Sequence, residues 1–221
     1  MLILGVDTSG KNGSIALVEF ESGVPRTIEV VPLEGGAFSA QLVPQISGLL
    51  ARHKSTKHDI EGFAAVSGPG SFTGLRVGLA AVKALAEVLR KPIGAVSLLE
   101  AIARASGRQG EITALADAGR GEVYAGDFRI SEGRVERRDE RALDIRELAG
   151  RGRQLVATDL KILESGRQHG LSVELIPYPG ADAIARFGFE KISRGETVSC
   201  LDLDANYLRP SDAEFKKAKP G

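Results

Sequence analysis

Residues Ser67–Leu89 read SGPGSFTGLRVGLAAVKALAEVL, a stretch that joins the end of an apolar run to a glycine-rich turn and a long helical pattern. The residues leading into it, GFAAVS, form an apolar run typical of a buried strand. Beyond the turn, apolar residues recur at helical spacing to about Arg90. A strand that passes through a tight turn into a helix indicates an α/β fold.

Three glycines of this stretch, Gly70, Gly74 and Gly78, are spaced by four residues and share one helix face. An interior helical glycine costs about 1 kcal/mol relative to alanine, so the absent side chains must serve a purpose. Either another element approaches the smooth face closely, or the free N–H groups at the helix start bind an anion. The approaching element is the chain's own sheet or a second polypeptide, and the spacing leaves both open.

A second amphipathic helix is predicted from Ser39 to Arg52. Pro44 lies early in it, where a missing backbone N–H is tolerated. The apolar face is wide enough to pack on a core and also to leave an exposed apolar contact surface. If a second chain binds this surface, two helices from each chain would form a four-helix interface. Its apolar positions are Leu42, Val43, Ile46, Leu49 and Leu50.

The N-terminal pattern returns in the second half of the chain. The apolar run LILGV ends at Asp7 and is followed by a glycine turn and SIALVEF, while ITALADAGRGEVYAGDF repeats strand, Asp117, glycine turn and strand. The repeat predicts two similar α/β lobes, residues 1–102 and 103–221, whose two Asp-bearing turns face a shared cleft.

Composition excludes several classes of function. A single cysteine, Cys200, excludes a disulfide framework, a thiolate zinc site and an iron–sulfur cluster. The 29 basic and 29 acidic residues create no net field that would steer nucleic acid, and the mixed charges of residues 132–153 are typical of a solvated face. An acidic residue at position 7 comes too early for a signal peptide, and the uncharged run at 35–51 is too short and broken to span a bilayer. We therefore expect a cytoplasmic protein.

The sequence contains few candidate catalytic or ligand-binding residues. The turn GPGSFTG lacks the lysine of a P-loop, and His53, His58 and His169 form no metal-ligand pattern. Asp7 and Asp117 either approach a magnesium-bound nucleotide or cap their hairpin turns through Asx hydrogen bonds.

Four segments, in order along nearly the whole chain, are similar to the TsaB (YeaZ-type) family. They are LILGVDTS at the N-terminus, SGPGSFTGLRVG, DAGRGEVYAG and NYLRP near the end, and SFTGLRVG is the most specific. The resemblance implies a bacterial, cytoplasmic member of the ASKHA superfamily, the fold of actin, sugar kinases and heat-shock ATPases. That fold has two similar lobes, each with a mixed sheet flanked by helices.

The resemblance also implies a function. The family is similar to the threonylcarbamoyl transferase TsaD but lacks its metal-binding histidines, and it supports TsaD together with the ATPase TsaE. The modified base is adenosine 37 of tRNAs that read codons beginning with A. The resemblance implies a non-catalytic subunit that contacts tRNA only as part of the complex. It also implies that the chain requires no cofactor, does not bind a membrane, and forms homodimers.

The resemblance places the partner and dimer contact on the two N-terminal helices. Replacing Gly74 or Gly78 by leucine is then expected to abolish partner binding and leave the monomer folded. The implied interface residues are Ser39, Leu42, Val43, Ile46, Ser71, Phe72, Gly74, Leu75, Gly78, Leu79 and Val82.

An alternative function is an ASKHA-type ATPase or small-molecule kinase acting at the cleft between the lobes. Its candidate residues for ATP or ADP are Asp7, Thr8, Ser9 and Asp117. A metallopeptidase is disfavoured because no paired histidines are present.

The sequence departs from the family pattern at two positions. Phe38 stands where the family often has histidine, and Arg120 lies one position later than in the family's Asp-Ala-Arg. These changes leave the roles of Phe38 and Arg120 open.

Overall fold

The computed structural model describes residues 1–150 and 152–208, and backbone contacts divide it into two compact units. Unit 1 comprises Met1–Ala101 and Pro179–Asn206, whereas unit 2 is built on Ile102–Tyr178. The last two residues of the NYLRP motif lie outside the described residues.

The sheet of unit 1 contains β1 (Leu2–Asp7), β2 (Gly13–Glu21), β3 (Val24–Leu33), β4 (Gly62–Gly68) and β5 (Ile93–Ser97). Their order is β3-β2-β1-β4-β5. The first three strands form an antiparallel meander, and β4 and β5 extend it in parallel with β1. Parallel neighbours need crossover connections, and helices supply them.

Two helices, α1 (Phe38–Arg52) and α2 (Phe72–Leu89), share one core with this sheet. Alternate strand residues such as Leu4 and Phe63 enter that core, because successive side chains of a strand point to opposite faces. The helices agree with the sequence-based prediction, and Pro44 lies in the second turn of α1.

Unit 2 has the same connectivity. Helix α3 (Leu98–Ala105) leads into it, and helix α4 (Leu160–Gln168) follows the fourth strand as α2 follows β4. Three antiparallel strands are again extended by two parallel ones, in the order β10-β9-β6-β7-β8. The two lobes with mixed sheets, predicted from the repeat and the resemblance, are therefore confirmed. The strands are β6 (Gly110–Gly119), β7 (Glu122–Ser131), β8 (Arg134–Asp144), β9 (Gln154–Ala157) and β10 (Val173–Leu175).

The last helix, α5 (Ala181–Ser193), belongs to unit 1 and covers the sheet face opposite α1 and α2. Gly5 has no room for a side chain beside the Ala181 carbonyl, and Gly94 packs directly on Gly188. Small residues on both elements bring the helix close to the strands. Residues 179–206, which the sequence-based division placed in the second lobe, thus pack with the first.

Candidate functional site

The chain leaves β1 through Asp7, Thr8 and Ser9, all of which are buried. Asp7 Oδ1 accepts hydrogen bonds from the backbone N–H of Ser9 at 2.9 Å and from its hydroxyl at 2.6 Å. An aspartate that accepts from the residue two positions later forms an Asx turn. Asp7 therefore fixes the start of the β1–β2 hairpin, one of the two roles that the sequence left open.

The same turn is hydrogen-bonded to the start of α2. Thr8 Oγ1 donates to the carbonyl oxygen of Gly74 at 2.8 Å, and the Ser71 backbone N–H donates to the Ser9 carbonyl at 2.7 Å. Ser71 is the N-cap of the helix, and its hydroxyl accepts from the Gly74 N–H at 3.3 Å. Hydrogen bonds thus hold the β1 turn and the helix entry together.

The glycine face of α2 is filled by the chain itself. A Cβ on Gly74 would overlap the Thr8 carbonyl oxygen, and a Cβ on Gly78 would overlap Thr8 Oγ1. A Cβ on Gly70 would likewise overlap the Ser9 carbonyl oxygen. The glycine spacing allowed either the chain's own sheet or a second polypeptide to approach this face. In the structure, the turn after β1 of the same chain packs against it. The expectation that leucine at Gly74 or Gly78 spares the monomer is corrected, since its side chain would displace Thr8.

Several residues of the implied interface are buried inside unit 1. Their side chains pack between the helices and the sheet and are at most 5% exposed: Leu42, Ile46, Leu75, Leu79 and Val82. They are therefore not available at the surface described here. The accessible members are Ser39, Val43 and Ser71, together with half-buried Phe72, and their role at an interface remains a prediction.

The solvent-facing residues of these two helices form a surface that we call the outer face. On α1, no charged residue occurs before Arg52, which pairs with Glu29 at 2.7 Å, and Val43 is 59% exposed. Solvent-exposed helices ordinarily carry many charges, so this surface is unusual. The outer face consists of Ser39, Ala40, Val43, Pro44, Ser47 and Ala51 on α1, and Thr73, Arg76, Ala80, Ala84, Glu87 and Val88 on α2.

The sequence-based prediction missed a charged group on this face. The Arg76 guanidinium lies 3.6 Å from the centroid of the Phe72 ring, one turn earlier on α2. The spacing of four residues was the signal that could have revealed this pair, because it places both side chains on the same side of a helix.

Asp117 occupies in unit 2 the strand position that Asp7 has in unit 1. Its Oδ1 accepts from the Gly119 N–H at 2.7 Å, so it too forms an Asx turn, but its side chain is exposed. Beyond Ala118, the three consecutive residues Gly119, Arg120 and Gly121 all have left-handed backbone conformations, with φ of 73°, 58° and 85°. Each aspartate closes the hairpin of its own unit.

Across residues 1–150 and 152–208, no group of three or more His, Cys, Asp or Glu side chains is arranged to hold a metal ion. His53 Nε2 lies 2.6 Å from Glu29 Oε2, His58 is exposed in a short 3-10 turn, and His169 caps α4. The helices in the same described ranges include none that is long and apolar enough to cross a bilayer.

The charged strand β8 and its neighbours are joined by ion pairs. Buried Asp127 accepts from Thr113 Oγ1 at 2.6 Å, and its carboxylate lies 3.1 Å from Arg141 and 3.0 Å from Arg153. Burial alone would raise the pKa of Asp127, but the hydrogen bonds from Thr113 and Arg141 and the charge of Arg153 together hold it below the usual value. Arg137 and Arg138 also pair with glutamates, in agreement with a solvated face.

Comparison with known proteins gives consistent matches. The family model described as TsaD, tRNA N6-adenosine threonylcarbamoyltransferase, matches residues 30–179. The tRNA threonylcarbamoyladenosine biosynthesis protein TsaB of Bacillus subtilis is 30% identical, over 98% of this chain and 97% of the relative. The protein of that name from Escherichia coli is 26% identical, over 98% of both chains.

Solved structures agree with these matches. A Pseudomonas aeruginosa protein described as similar to peptidase YeaZ superposes with a TM-score of 0.77 at 26% identity, covering 94% of this chain and 99% of the other. YeaZ from Pseudomonas aeruginosa gives a TM-score of 0.76 at 24% identity with the same coverage, a likeness that concerns the fold alone.

Proposed function

Because the chain belongs to the TsaB (YeaZ-type) family, we propose that it is a non-catalytic subunit that binds and supports a TsaD-type transferase in the bacterial cytoplasm. The transferase, with a TsaE-type ATPase, places the threonylcarbamoyl group on N6 of adenosine 37 in tRNAs that read codons beginning with A. In this proposal tRNA is met through the complex, and the chain itself requires no cofactor.

The observation that carries the proposal is the uncharged outer face of α1. Six exposed positions of this helix bear small or apolar side chains, and Val43 is 59% exposed. An exposed surface without charges is favoured where a second polypeptide covers it. The same face is proposed to serve the transferase subunit and, in its absence, a second copy of this chain.

The polar residues near β1 support a structural rather than a chemical role. Asp7, Thr8 and Ser9 are buried and hydrogen-bonded within unit 1, and Thr8 and Ser9 hold the start of α2. Asp117 is engaged with its own hairpin. These contacts favour a scaffold over the alternative ATPase or kinase.

The test introduces a charge into the outer face. Val43→Glu introduces a better helix former, so α1 should persist, but it would place an unpaired carboxylate in the contact. Binding of the cognate TsaD-type subunit should therefore weaken at least about tenfold. The matched control is Leu160→Glu on α4 of unit 2, because both side chains are 59% exposed. Affinity is measured by calorimetry with the purified subunits.

We expect the Leu160→Glu variant to bind like the wild type. Equal affinities for both variants would contradict the proposed surface. Absence of any complex with the wild-type chain would contradict the proposed function itself.

A further inference from the structure

Beyond α5, residues 198–206 lie against the sheet of unit 1, and we call them the edge segment. The Val198 N–H donates to the carbonyl oxygen of Ile93 in the edge strand β5 at 3.1 Å. At the other end, the Asn206 N–H donates to the carbonyl oxygen of Ser67 in β4 at 2.6 Å. Both ends of the edge segment are therefore hydrogen-bonded to the sheet. The interface implied by the resemblance includes none of its residues.

The apolar residues of the edge segment pack inward with one exception. Its inward residues contact the hydrophobic core of unit 1 and comprise Val198, Cys200, Leu203 and Ala205. Leu203 is only 1% exposed, whereas Leu201 is 93% exposed and leaves nearly all of its apolar surface in water. Leu201 is thus the one apolar residue of this segment that the core of unit 1 does not bury.

A tight turn holds Leu201 in this outward position. The Ser199 hydroxyl donates to Asp202 Oδ2 at 2.6 Å and accepts from the Asp202 N–H at 3.1 Å. The Leu203 N–H donates to the Ser199 carbonyl oxygen at 2.9 Å. Because Cys200 and Leu203 pack on the core at either side, the backbone that carries Leu201 is already ordered. A preorganised side chain loses less conformational entropy when a partner covers it.

The turn lies beside the C-terminal end of α2. The Cys200 thiol donates a hydrogen bond to the Glu87 carboxylate. Leu201 follows Cys200 in the chain, and Val88, which follows Glu87, is 73% exposed. Within residues 1–150 and 152–208, these two are the most exposed large apolar side chains, and they flank the same hydrogen bond. They form an exposed apolar patch, and such a patch is more typical of a binding site than single scattered residues are.

We propose that this patch contacts the transferase subunit, with the Leu201 side chain inserted into an apolar pocket of that subunit. Val88 belongs to the outer face of α2, so the patch extends the surface proposed for the transferase onto a segment distant in the sequence. The inference rests on the proposed function and adds a contact that the two helices do not supply. A second copy of this chain is the competing occupant, and the experiment separates the two.

The experiment replaces Leu201 by serine and measures binding of the purified cognate TsaD-type subunit by calorimetry. Burial of a leucine side chain contributes about a factor of ten in affinity or more, so Leu201→Ser should weaken binding at least about tenfold. Leu201→Met restores an apolar side chain of similar size and should bind within about threefold of the wild type. The matched control is Leu160→Ser on α4, which removes another exposed leucine and should leave binding unchanged.

Thermal unfolding of Leu201→Ser should match that of the wild type, because a side chain that is 93% exposed contributes little to the core. Binding of this variant within about twofold of the wild type would overturn the inference, and the proposed function would stand if Val43→Glu weakens binding in the same assay. Absence of any complex with the wild-type chain would contradict the proposed function itself.

Analytical ultracentrifugation of Leu201→Ser without the transferase tests the competing occupant. Weaker self-association together with unchanged transferase binding would assign the patch to a second copy of this chain and overturn the inference. Weaker transferase binding with unchanged self-association is the expected result.

Discussion

The hydroxyl of Thr8 donates a 2.8 Å hydrogen bond to the carbonyl oxygen of Gly74, and the same side chain lies against Gly78 one turn further along α2. Thr8 thus occupies the space that side chains at both helical positions would fill. The glycines are explained by a contact within unit 1 between the end of β1 and the helix. The proposed partner surface lies on the solvent-exposed side of α2, away from Thr8.

Gly78→Ala is expected to destabilise the protein. The new methyl group would overlap Thr8 Oγ1, and an overpacked core costs about 1–3 kcal/mol, which outweighs the gain in helix propensity of about 1 kcal/mol. Gly48→Ala on α1 is the control, since its methyl group would meet only the flexible end of Arg52 at 3.4 Å. That variant should gain up to about 1 kcal/mol. Denaturant unfolding measures both, and stabilisation of Gly78→Ala would contradict the contact.

The Asp127 cluster predicts a pH dependence of stability. The folded-state pKa of Asp127 is lowered, so its contribution is present above the unfolded pKa near 4 and is lost as the pH falls through the lower folded value. Asp127→Asn should therefore cost about 1–3 kcal/mol at pH 7, and the difference from wild type should shrink below about pH 4. Urea unfolding from pH 3 to pH 7 checks this. A constant difference over that range would show that the charge of Asp127 contributes nothing.

A fragment that ends at residue 102 is expected not to fold on its own. It would lack α5, which covers one face of the sheet in unit 1. The Phe189 ring of α5 stacks on the Phe20 ring, with 3.7 Å between the ring centroids. Exposure of that apolar face removes a large part of the hydrophobic stabilisation. Circular dichroism and thermal unfolding of the fragment provide the measurement. Cooperative unfolding of the fragment would support the boundary predicted from the sequence.

The isolated chain is expected to hydrolyse no ATP above background. Asp7→Asn keeps an oxygen acceptor for the Ser9 hydrogen bonds, so it should change neither nucleotide turnover nor transferase binding. A coupled ATPase assay and a binding measurement test both statements. Turnover by the wild-type chain that disappears in Asp7→Asn would favour the alternative enzymatic function.

Periodicity was sufficient for most of the secondary structure. The apolar run ending at Asp7, the helix from Ser39 and the pattern of ITALADAGRGEVYAGDF all correspond to observed elements, because local spacing reflects which side chains are buried. The place of α5 could not be predicted in this way. Its amphipathic pattern fits any apolar sheet face, and only the small residues at Gly94 and Gly188 show which face it covers.

The sequence by itself determined the two-lobed α/β architecture, the family and the presence of a helix with a glycine face. The tertiary structure alone decided what fills that face. Four-residue spacing specifies a smooth surface but not its neighbour, whereas the position of Thr8 does. The tertiary structure also decided which residues of α1 and α2 remain accessible to solvent. Exposure of a helix residue depends on elements distant in the chain, such as the β1 turn and the segment around Cys200.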